Sequence, residues 1–390
     1  MLLRKLIPLG IPLAWLNLIK EKKRFFAAVA GITFAVTMMM FQMGLNTALF
    51  QQVVGPHAKM KADIFIVSSH YEYLGVSKGF PLRRLVQAGG LSTVERTIPM
   101  YVGALPMVNT DNQSSREVFA LSWDPAYPAF NDEEIESQRW KLKREGVALY
   151  DRLSRPELGP FVQQVEETGE AVTEVANRRM TFEGLFSCAP TFVADGILLT
   201  NKSTFLPLWP GEGSSVVSLG LVQLKEGSDA QAAVAALQEM LPNDVRIYTR
   251  DGFLQYELNY WRERTPIGFV ITASMAVALI VGMVIVYQIL YTDVNDHLEE
   301  YATLKSIGFR DSYFNSVILQ ESFILSVFGF VPGTILTAVM FAFTRQAAHL
   351  ATYLDLTNCL IIFGLTLGMC MAAGGLATRK LRAANPAEIF

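Results

Sequence analysis

The sequence predicts an α-helical membrane protein with four transmembrane helices and one large α+β domain outside the bilayer. Three observations carry that prediction. The 390 residues are 51% hydrophobic and only 18% charged, against about 25% charge in ordinary soluble domains, and the mean hydropathy is +0.29. The charges are unevenly placed: residues 49–265 hold 21 Lys/Arg and 27 Asp/Glu, while the remaining residues hold 12 and 9. Long charge-poor runs flank that charged middle, so a soluble domain is embedded in membrane sequence. With a net charge of −3 and no Lys/Arg-rich run beyond the N-terminus, the composition argues against a nucleic-acid partner.

A helix needs about 20 mostly apolar residues to cross a bilayer. Four stretches qualify: Phe25–Phe50, Pro266–Tyr291, Phe314–Thr344 and Leu356–Thr378. Only the third contains a charge, Glu321. The first follows Lys20, Lys22, Lys23 and Arg24 as a secretory signal would, but its apolar run is about twice the usual length of a cleaved segment. A retained anchor is expected.

Orientation follows from Lys and Arg near the span ends. Residues 1–24 carry six basic residues against Glu21, and the tail 379–390 carries Arg379, Lys380 and Arg382 against Glu388. Both ends are then cytoplasmic, which an even number of spans satisfies. The connection 292–313 has Lys305 and Arg310 against five acids, Asp293, Asp296, Glu299, Glu300 and Asp311. Acids count little in this rule, so the connection is read as cytoplasmic. Residues 345–355 become a short outer loop, and 51–265 lies across the membrane, in the periplasm of a cell with two membranes.

Within 51–265 the end reads most clearly. Val216–Leu224 has Val217, Leu219 and Leu221 alternating, the period of a strand. Asp229 caps a helix over Ala230–Leu241 with Val234, Leu237 and Leu241 on one face, closed by Pro242. Val245–Thr249 returns as a strand, giving a β-α-β unit. Nearer the start, Asp63–Val67, Tyr101–Val108 and Glu117–Ser122 read as strands and Leu91–Thr97 as a helix. Between them Asn131–Arg144 is densely charged, Leu158–Asn177 is polar and part helical, and 184–210 holds short strands and several prolines. The two ends (60–125 and 216–265) are expected to form one α+β subdomain with a second, 126–215, inserted into it. The flanks Thr47–Met60 and Asp251–Thr265 read as helical continuations of the spans, with Gln51, Val54 and Ala58 on one and Leu254, Leu258 and Trp261 on the other at helical spacing.

Catalytic signatures are missing. There is no G-x-x-x-x-G-K-[ST], no His-Glu-x-x-His and no Cys-x-x-Cys. His57, His70, His297 and His349 are scattered and read as solvated or interfacial. Cys188 is alone in the outer domain, so no disulfide is possible within it. Glu321 is an ionisable residue inside a span, a functional candidate by default. A role in proton or substrate handling stands beside the plainer reading of a snorkelling or helix-pairing carboxylate, which weighs more. Gly329 and Gly333, and Gly364 and Gly368, stand at i and i+4 and favour close helix contact over a substrate path.

The most informative segment is His297–Phe309. Leu298, Tyr301, Leu304 and Ile307 recur at three-residue spacing, an amphipathic helix ending at Gly308. Such a cytoplasmic helix can dock into a soluble partner's groove. Glu300–Gly308 (EYATLKSIG), followed by Ser316–Gly333 with Glu321, resembles the signature of FtsX/MacB-type permeases of ABC systems. Leu13–Ile19 (LAWLNLI) with Arg24, Gly31 and Ile32 resembles that family's amphipathic N-terminal helix and first span. Ala377–Phe390 resembles its basic tail, and 216–249 followed by Tyr260–Gly268 (YWRERTPIG) is similar to the DevC branch, which lacks a fused nucleotide-binding domain.

The resemblance implies a MacB-like outer domain with "porter" and inserted "sabre" parts, on a homodimer in the bacterial inner membrane. It implies that Glu300, Thr303, Leu304, Lys305, Ile307, Gly308 and Phe309 meet a cytoplasmic ABC ATPase dimer, which binds the ATP and Mg, and that this chain is not itself an enzyme. It further implies a periplasmic adaptor, a TolC-like outer-membrane channel and a glycolipid or similar cargo. Two other readings compete: a signalling permease that regulates cell-wall hydrolases, as FtsX does, and a lipid-acting membrane enzyme, which the absent catalytic cluster disfavours.

Overall fold

Inside a bilayer each backbone polar group must find its partner within the chain, and the four apolar runs do so as long helices. A computed structural model describes residues 13–76, 78–188, 194–209, 213–296, 303, 307, 311–348 and 352–383. The chain begins with α1 (Leu13–Lys20) and α2 (Lys22–Lys59). Next come β1 (Ile64–Ser68), β2 (Phe80–Pro81), α3 (Arg83–Ala88), β3 (Val94–Val108), β4 (Ser115–Trp123) and α4 (Glu133–Gln138). They are followed by β5 (Val147–Asp151), α5 (Phe161–Thr168), β6 (Ala171–Val175), β7 (Arg178–Phe186), β8 (Ile197–Asn201) and α6 (Lys202–Phe205). The outer part ends with β9 (Val216–Val217), β10 (Leu219–Leu224), α7 (Ala230–Met240), β11 (Val245–Thr249) and α8 (Arg250–Glu263). Three long helices close the chain: α9 (Pro266–Asp296), α10 (Asp311–Ala348) and α11 (Leu356–Ala383). Two compact units result, Met1–Ala48 with Pro266–Phe390, and Leu49–Thr265.

In the outer unit nine strands form one sheet in the order β11-β1-β10-β3-β4-β8-β5-β7-β6. β1 is antiparallel to both β10 and β11. The predicted β-α-β is therefore split: its two strands run parallel with β1 between them. Alternation along β1 separates two cores. Ile64 and Ile66 pack with Leu85 of α3 and Leu237 of α7, whereas Phe65 and Val67 pack with Phe253 of α8.

β3 is the long member of this sheet. Its first half pairs with β10 and its second half with β4. Strands of the inserted segment extend the sheet from β4 through parallel β8. At the far end β6 returns to β3 at Met107 opposite Val175, reinforced by the Ala176 N–H to the Pro106 carbonyl at 2.8 Å. β3, β4, β8, β5, β7 and β6 thus close a small ring whose interior is filled by Leu105, Val118, Ala120, Tyr150 and Phe182.

Two local expectations change. The helix expected at Leu91–Thr97 sits earlier, as α3, and ends at Gly89; Val94 onward is strand. There Ile98 pairs with Leu221 and Thr97 with Val222, so sheet pairing overrides the local helical pattern. The run 216–224 is also two strands. It breaks at Ser218, whose hydroxyl accepts the Val102 N–H at 3.0 Å, and β9 pairs with β2 instead.

In the membrane unit α2, α9, α10 and α11 each have the length and apolarity to cross a bilayer. Gly329 and Gly333 do pack. They seat Ile32 and Val36 of α2, and a Cβ on Gly333 would lie 2.7 Å from Val36 Cγ1. Thr33 donates its hydroxyl to the Gly329 carbonyl at 3.3 Å. Thr37 divides its own between Thr33 at 2.8 Å and the Gly333 carbonyl at 3.3 Å. Small residues at i and i+4 on α10 thus meet hydroxyls at i and i+4 on α2, a close-packed and hydrogen-bonded seam. Gly364 and Gly368 face open space, so their expected packing is not made among the described residues. Gly31 meets Ile285, Gly44 meets Phe341 and Gly282 meets Ala35 and Met369, so these glycines serve contacts within the chain.

This geometry separates two substitutions of equal chemistry. Gly333→Leu overpacks the seam and should cost about 1–3 kcal/mol, read as a lower melting temperature of the detergent-purified protein. Gly368→Leu should melt with the wild type. Equal melting of both variants contradicts the packing.

Candidate coupling site

Of the seven residues expected to meet an ATPase, the structure describes two. Thr303 and Ile307 are both exposed, Ile307 at 70%, and the Ile307 N–H donates to the Thr303 carbonyl at 3.2 Å, the i to i−4 pattern of a helical turn. Glu300, Leu304, Lys305, Gly308 and Phe309 lie outside the described residues, as does most of the expected helix 297–309. The segment is framed by the end of α9 at Asp296 and the start of α10 at Asp311. Arg24, at the start of α2, pairs with Asp296 and with Glu21. On α1, Ala14 and Leu18 are buried and Leu16 and Ile19 exposed, and Trp15 packs on Phe328 at 5.5 Å. The start of α2 is therefore tied to the end of α9 beside this connection.

Glu321 is fully buried on α10, with Ser322 and Ser326 also buried. Ser322 lies where Gly374 of α11 leaves room for it. A carboxylate with no exposure does not snorkel.

The outer end of α2 is wired into the outer unit. The last carbonyls of a helix lack internal partners, and here Arg250 of α8 donates to the Ala58 carbonyl at 2.5 Å while the Asn131 N–H donates to the Lys59 carbonyl at 2.7 Å. The Lys59 ammonium bonds Asp132 at 2.6 Å and the Ser187 carbonyl. Burial alone would raise the Asp132 carboxyl; the Lys59 ammonium and the N–H groups of Ile135 and Glu134 outweigh it and hold the group below its ordinary value.

Both flanks are helical as expected, but only the first continues its span without a break. Near the end of α2 the buried residues are Gln52, Val53, Pro56 and His57; on α8 they are Phe253, Glu257 and Trp261, not Leu254 and Leu258. α2 passes out of its apolar run and on to Lys59 as a single helix. α8 does not run into α9. It stops at Glu263, because Pro266 lacks an N–H and disfavours helical Thr265, and Thr265 turns its hydroxyl back to the Trp261 carbonyl at 2.6 Å.

These stripes bring two polar residues together. His57 and Glu257 are buried to 0% and 1% exposure with Nε2 and Oε1 3.7 Å apart, so His57 is neither solvated nor interfacial. Tyr71, also buried, donates its hydroxyl to Glu257 Oε1. Phe253 sets its ring against His57 at 5.2 Å and stacks on Phe65 at 4.6 Å. Desolvation raises Glu257 to about 8, against which the Tyr71 hydrogen bond acts weakly. His57, in the part of α2 that belongs to the outer unit, is lowered to about 4 by burial, which the Val53 carbonyl one turn back opposes. The sequence does carry a signal for this cluster: Glu257 occupies the core position midway between Phe253 and Trp261, a carboxylate where an apolar residue is expected. Among the described residues no group of three His, Cys, Asp or Glu is placed to hold a metal ion.

Residues 272–386, which include the connection between α9 and α10, match the family model described as FtsX-like permease C-terminal. The membrane unit is FtsX-like over that stretch. None of the curated proteins matches the chain. Among solved structures, the periplasmic region of MacB from Actinobacillus actinomycetemcomitans is 13% identical over 49% of this chain and 90% of that one, with a TM-score of 0.35. The extracellular domain of the noncanonic ABC-type transporter YknZ from Gram-positive bacteria is 10% identical over 48% of this chain and 99% of that one, with a TM-score of 0.31.

The anchoring of α2 makes a pH-dependent prediction. Lys59→Met should destabilise the outer unit at neutral pH by about 1–3 kcal/mol, the worth of a hydrogen bond to a charged group. A depressed carboxyl stabilises above its unfolded value and loses that contribution as pH falls through its folded value. The deficit against wild type should therefore shrink as the pH drops below the carboxylate range, in melts followed at both ends. A constant deficit contradicts the pairing.

Proposed function

We propose that this chain is the permease subunit of an ABC exporter in the bacterial inner membrane, coupling ATP hydrolysis in a separate cytoplasmic ATPase to movement of its outer domain. The observation that carries the reading is the FtsX-like match over 272–386, which contains the connection 297–309. In this reading Glu300, Thr303, Leu304, Lys305, Ile307, Gly308 and Phe309 dock on the ATPase dimer that binds ATP and Mg. Leu304 and Ile307 are the apolar knobs, and the 70% exposure of Ile307 suits a residue awaiting a partner. The basic termini support a reading with both ends in the cytoplasm and Leu49–Thr265 in the periplasm.

The mechanism is displacement without passage through the four helices. Movement of the connection reaches α10, which grips α2 through the Thr33–Gly329 and Thr37–Gly333 contacts. α2 carries it on as a continuous helix, a rod that passes displacement where a flexible linker absorbs it. The break at Arg264 and Thr265 is the joint that lets the second connection follow. Two copies work together, and the outer domain expels a glycolipid or other lipid-like cargo into a periplasmic adaptor and a TolC-like channel. The cargo and these partners rest on the sequence resemblance to DevC-type permeases.

Three measurements test this. Leu304→Asp with Ile307→Asp should lose pull-down of the ATPase, truncation of docked knobs costing about 1–3 kcal/mol each, with the chain still folded in the membrane; wild-type capture rejects the docking. Inserting Gly-Gly-Ser-Gly after Gln52 and after Asp251 should leave ATPase activity in the assembled complex and stop export. Normal export from that protein makes the outer domain a docking platform only. On a Cys-free background, cysteines at Phe34, which is 54% exposed, and at Met38 should crosslink between copies. Efficient crosslinking from α10 or α11 alone rejects α2 as the dimer interface.

A further inference from the structure

A carboxylic acid, an imidazole and a phenol are buried together where the end of α2 meets α8, and nothing in the coupling mechanism requires them to be polar. Glu257 is 1% exposed and has the Tyr71 hydroxyl on Oε1. Neither nitrogen of His57 makes a hydrogen bond of ordinary geometry. The titratable groups facing the pair are Tyr71 and Tyr73 from the loop after β1 and Tyr256 from α8 itself. β1 contributes only the Phe65 ring, and from β11 Tyr248 packs on Tyr256 while Arg246 reaches the Tyr256 hydroxyl at 3.4 Å. Cations on the two helices are engaged elsewhere: Lys59 with Asp132, Arg250 with the Ala58 carbonyl, and Arg262 over the Phe50 ring. Among the described residues the ion-pair contact of Glu257 is with His57, which burial holds neutral at pH 7, so an ionised Glu257 would lie unpaired there, and burying an unpaired carboxylate is strongly unfavourable.

We propose that His57, Glu257 and Tyr71 form a latch that holds the end of α2 against α8 only while the cluster carries no net charge, so that separating the two helices exchanges a proton with the periplasmic solvent. The inference deepens the coupling reading, since it assigns a proton dependence to the same two helices, and its geometry stands without that reading. Its pH window has a definite sign. When the helices part, Glu257 relaxes from about 8 toward its ordinary 4.5 and His57 from about 4 toward its ordinary 6.5. Between those ordinary values Glu257 releases the proton that His57 takes up, and opening is indifferent to pH. Above the ordinary value of His57 and up to about 8, opening releases one proton net and becomes about tenfold easier per pH unit. Above that it levels off.

The test uses the full-length protein in nanodiscs without ATPase, spin-labelled at Val54 and Gln255. The long-distance population should be constant at mildly acidic pH and then grow about tenfold per unit up to pH 8. Glu257→Gln should abolish that rise and remove the protonated-carboxyl band from the infrared spectrum at pH 7. Tyr71→Phe removes the hydrogen bond that favours the ionised form, so its rise should continue to higher pH; this variant serves if Glu257→Gln does not assemble. A distance distribution unchanged by pH, a Glu257→Gln protein that still responds, or an ionised Glu257 at pH 7 overturns the latch. None of these outcomes bears on ATPase docking, and loss of docking in the Leu304 and Ile307 variants leaves the latch intact.

Discussion

Helix α2 continues as one element from Lys22 to Lys59, and the contacts that matter in each unit are made along it. At 1.5 Å per residue it is about 57 Å long, well beyond the roughly 30 Å hydrocarbon layer that an apolar helix must cross. The bilayer enforces helix over its apolar run, because no solvent is there to take its backbone groups. Beyond that run protein contacts take over: Arg250 and Asn131 cap its final carbonyls and Lys59 anchors to Asp132. Continuity is thus maintained by two different solvents in turn.

The two connections between the units are physically unequal. One is this continuous helix, held in the membrane unit by threonine hydroxyls on glycine carbonyls. The other is interrupted at Arg264 and Thr265 by the chemistry of Pro266. Two rigid connections would fix the outer unit, and two flexible ones would isolate it. A rod with a joint permits motion in one direction of control, which is the property a displacement mechanism needs. The polar cluster of His57, Glu257 and Tyr71 lies between the two helices that make these connections, and its desolvation cost makes their contact depend on protonation.

Much of this was legible in the sequence because it rests on periodicity and length. Four apolar runs became four helices of membrane-crossing length, and Asp229 caps α7 as its position before the apolar periodicity suggests. Strand identity survived less well wherever pairing decided it. Val94 and Thr97 fall in the run expected as helix and are strand because β10 offers a partner. Ser218 divides an apparently uniform alternation because its hydroxyl bonds across to β3.

The site residues show the same division. Leu304 and its neighbours are named by a motif, and the FtsX-like match covers them. The signal at Glu257, a carboxylate between Phe253 and Trp261, competes with Leu254, Leu258 and Trp261, which also keep helical spacing, and the packed structure decides that Phe253, Glu257 and Trp261 are the buried face. A glycine pair likewise does not announce its partner. Gly329 and Gly333 seat α2, while Gly364 and Gly368 at the same spacing face nothing among the described residues.

In the proposed mechanism α2 transmits displacement to the outer unit as a rigid rod. Single-molecule distances between fluorophores at Val86 and Trp140, both exposed in that unit, measure it during ATP turnover by the assembled complex. A rigid α2 gives a distance that switches with turnover in the intact chain and becomes static once a flexible insert follows Gln52. A distance that never changes during turnover, or that keeps switching when the rod is broken, contradicts it.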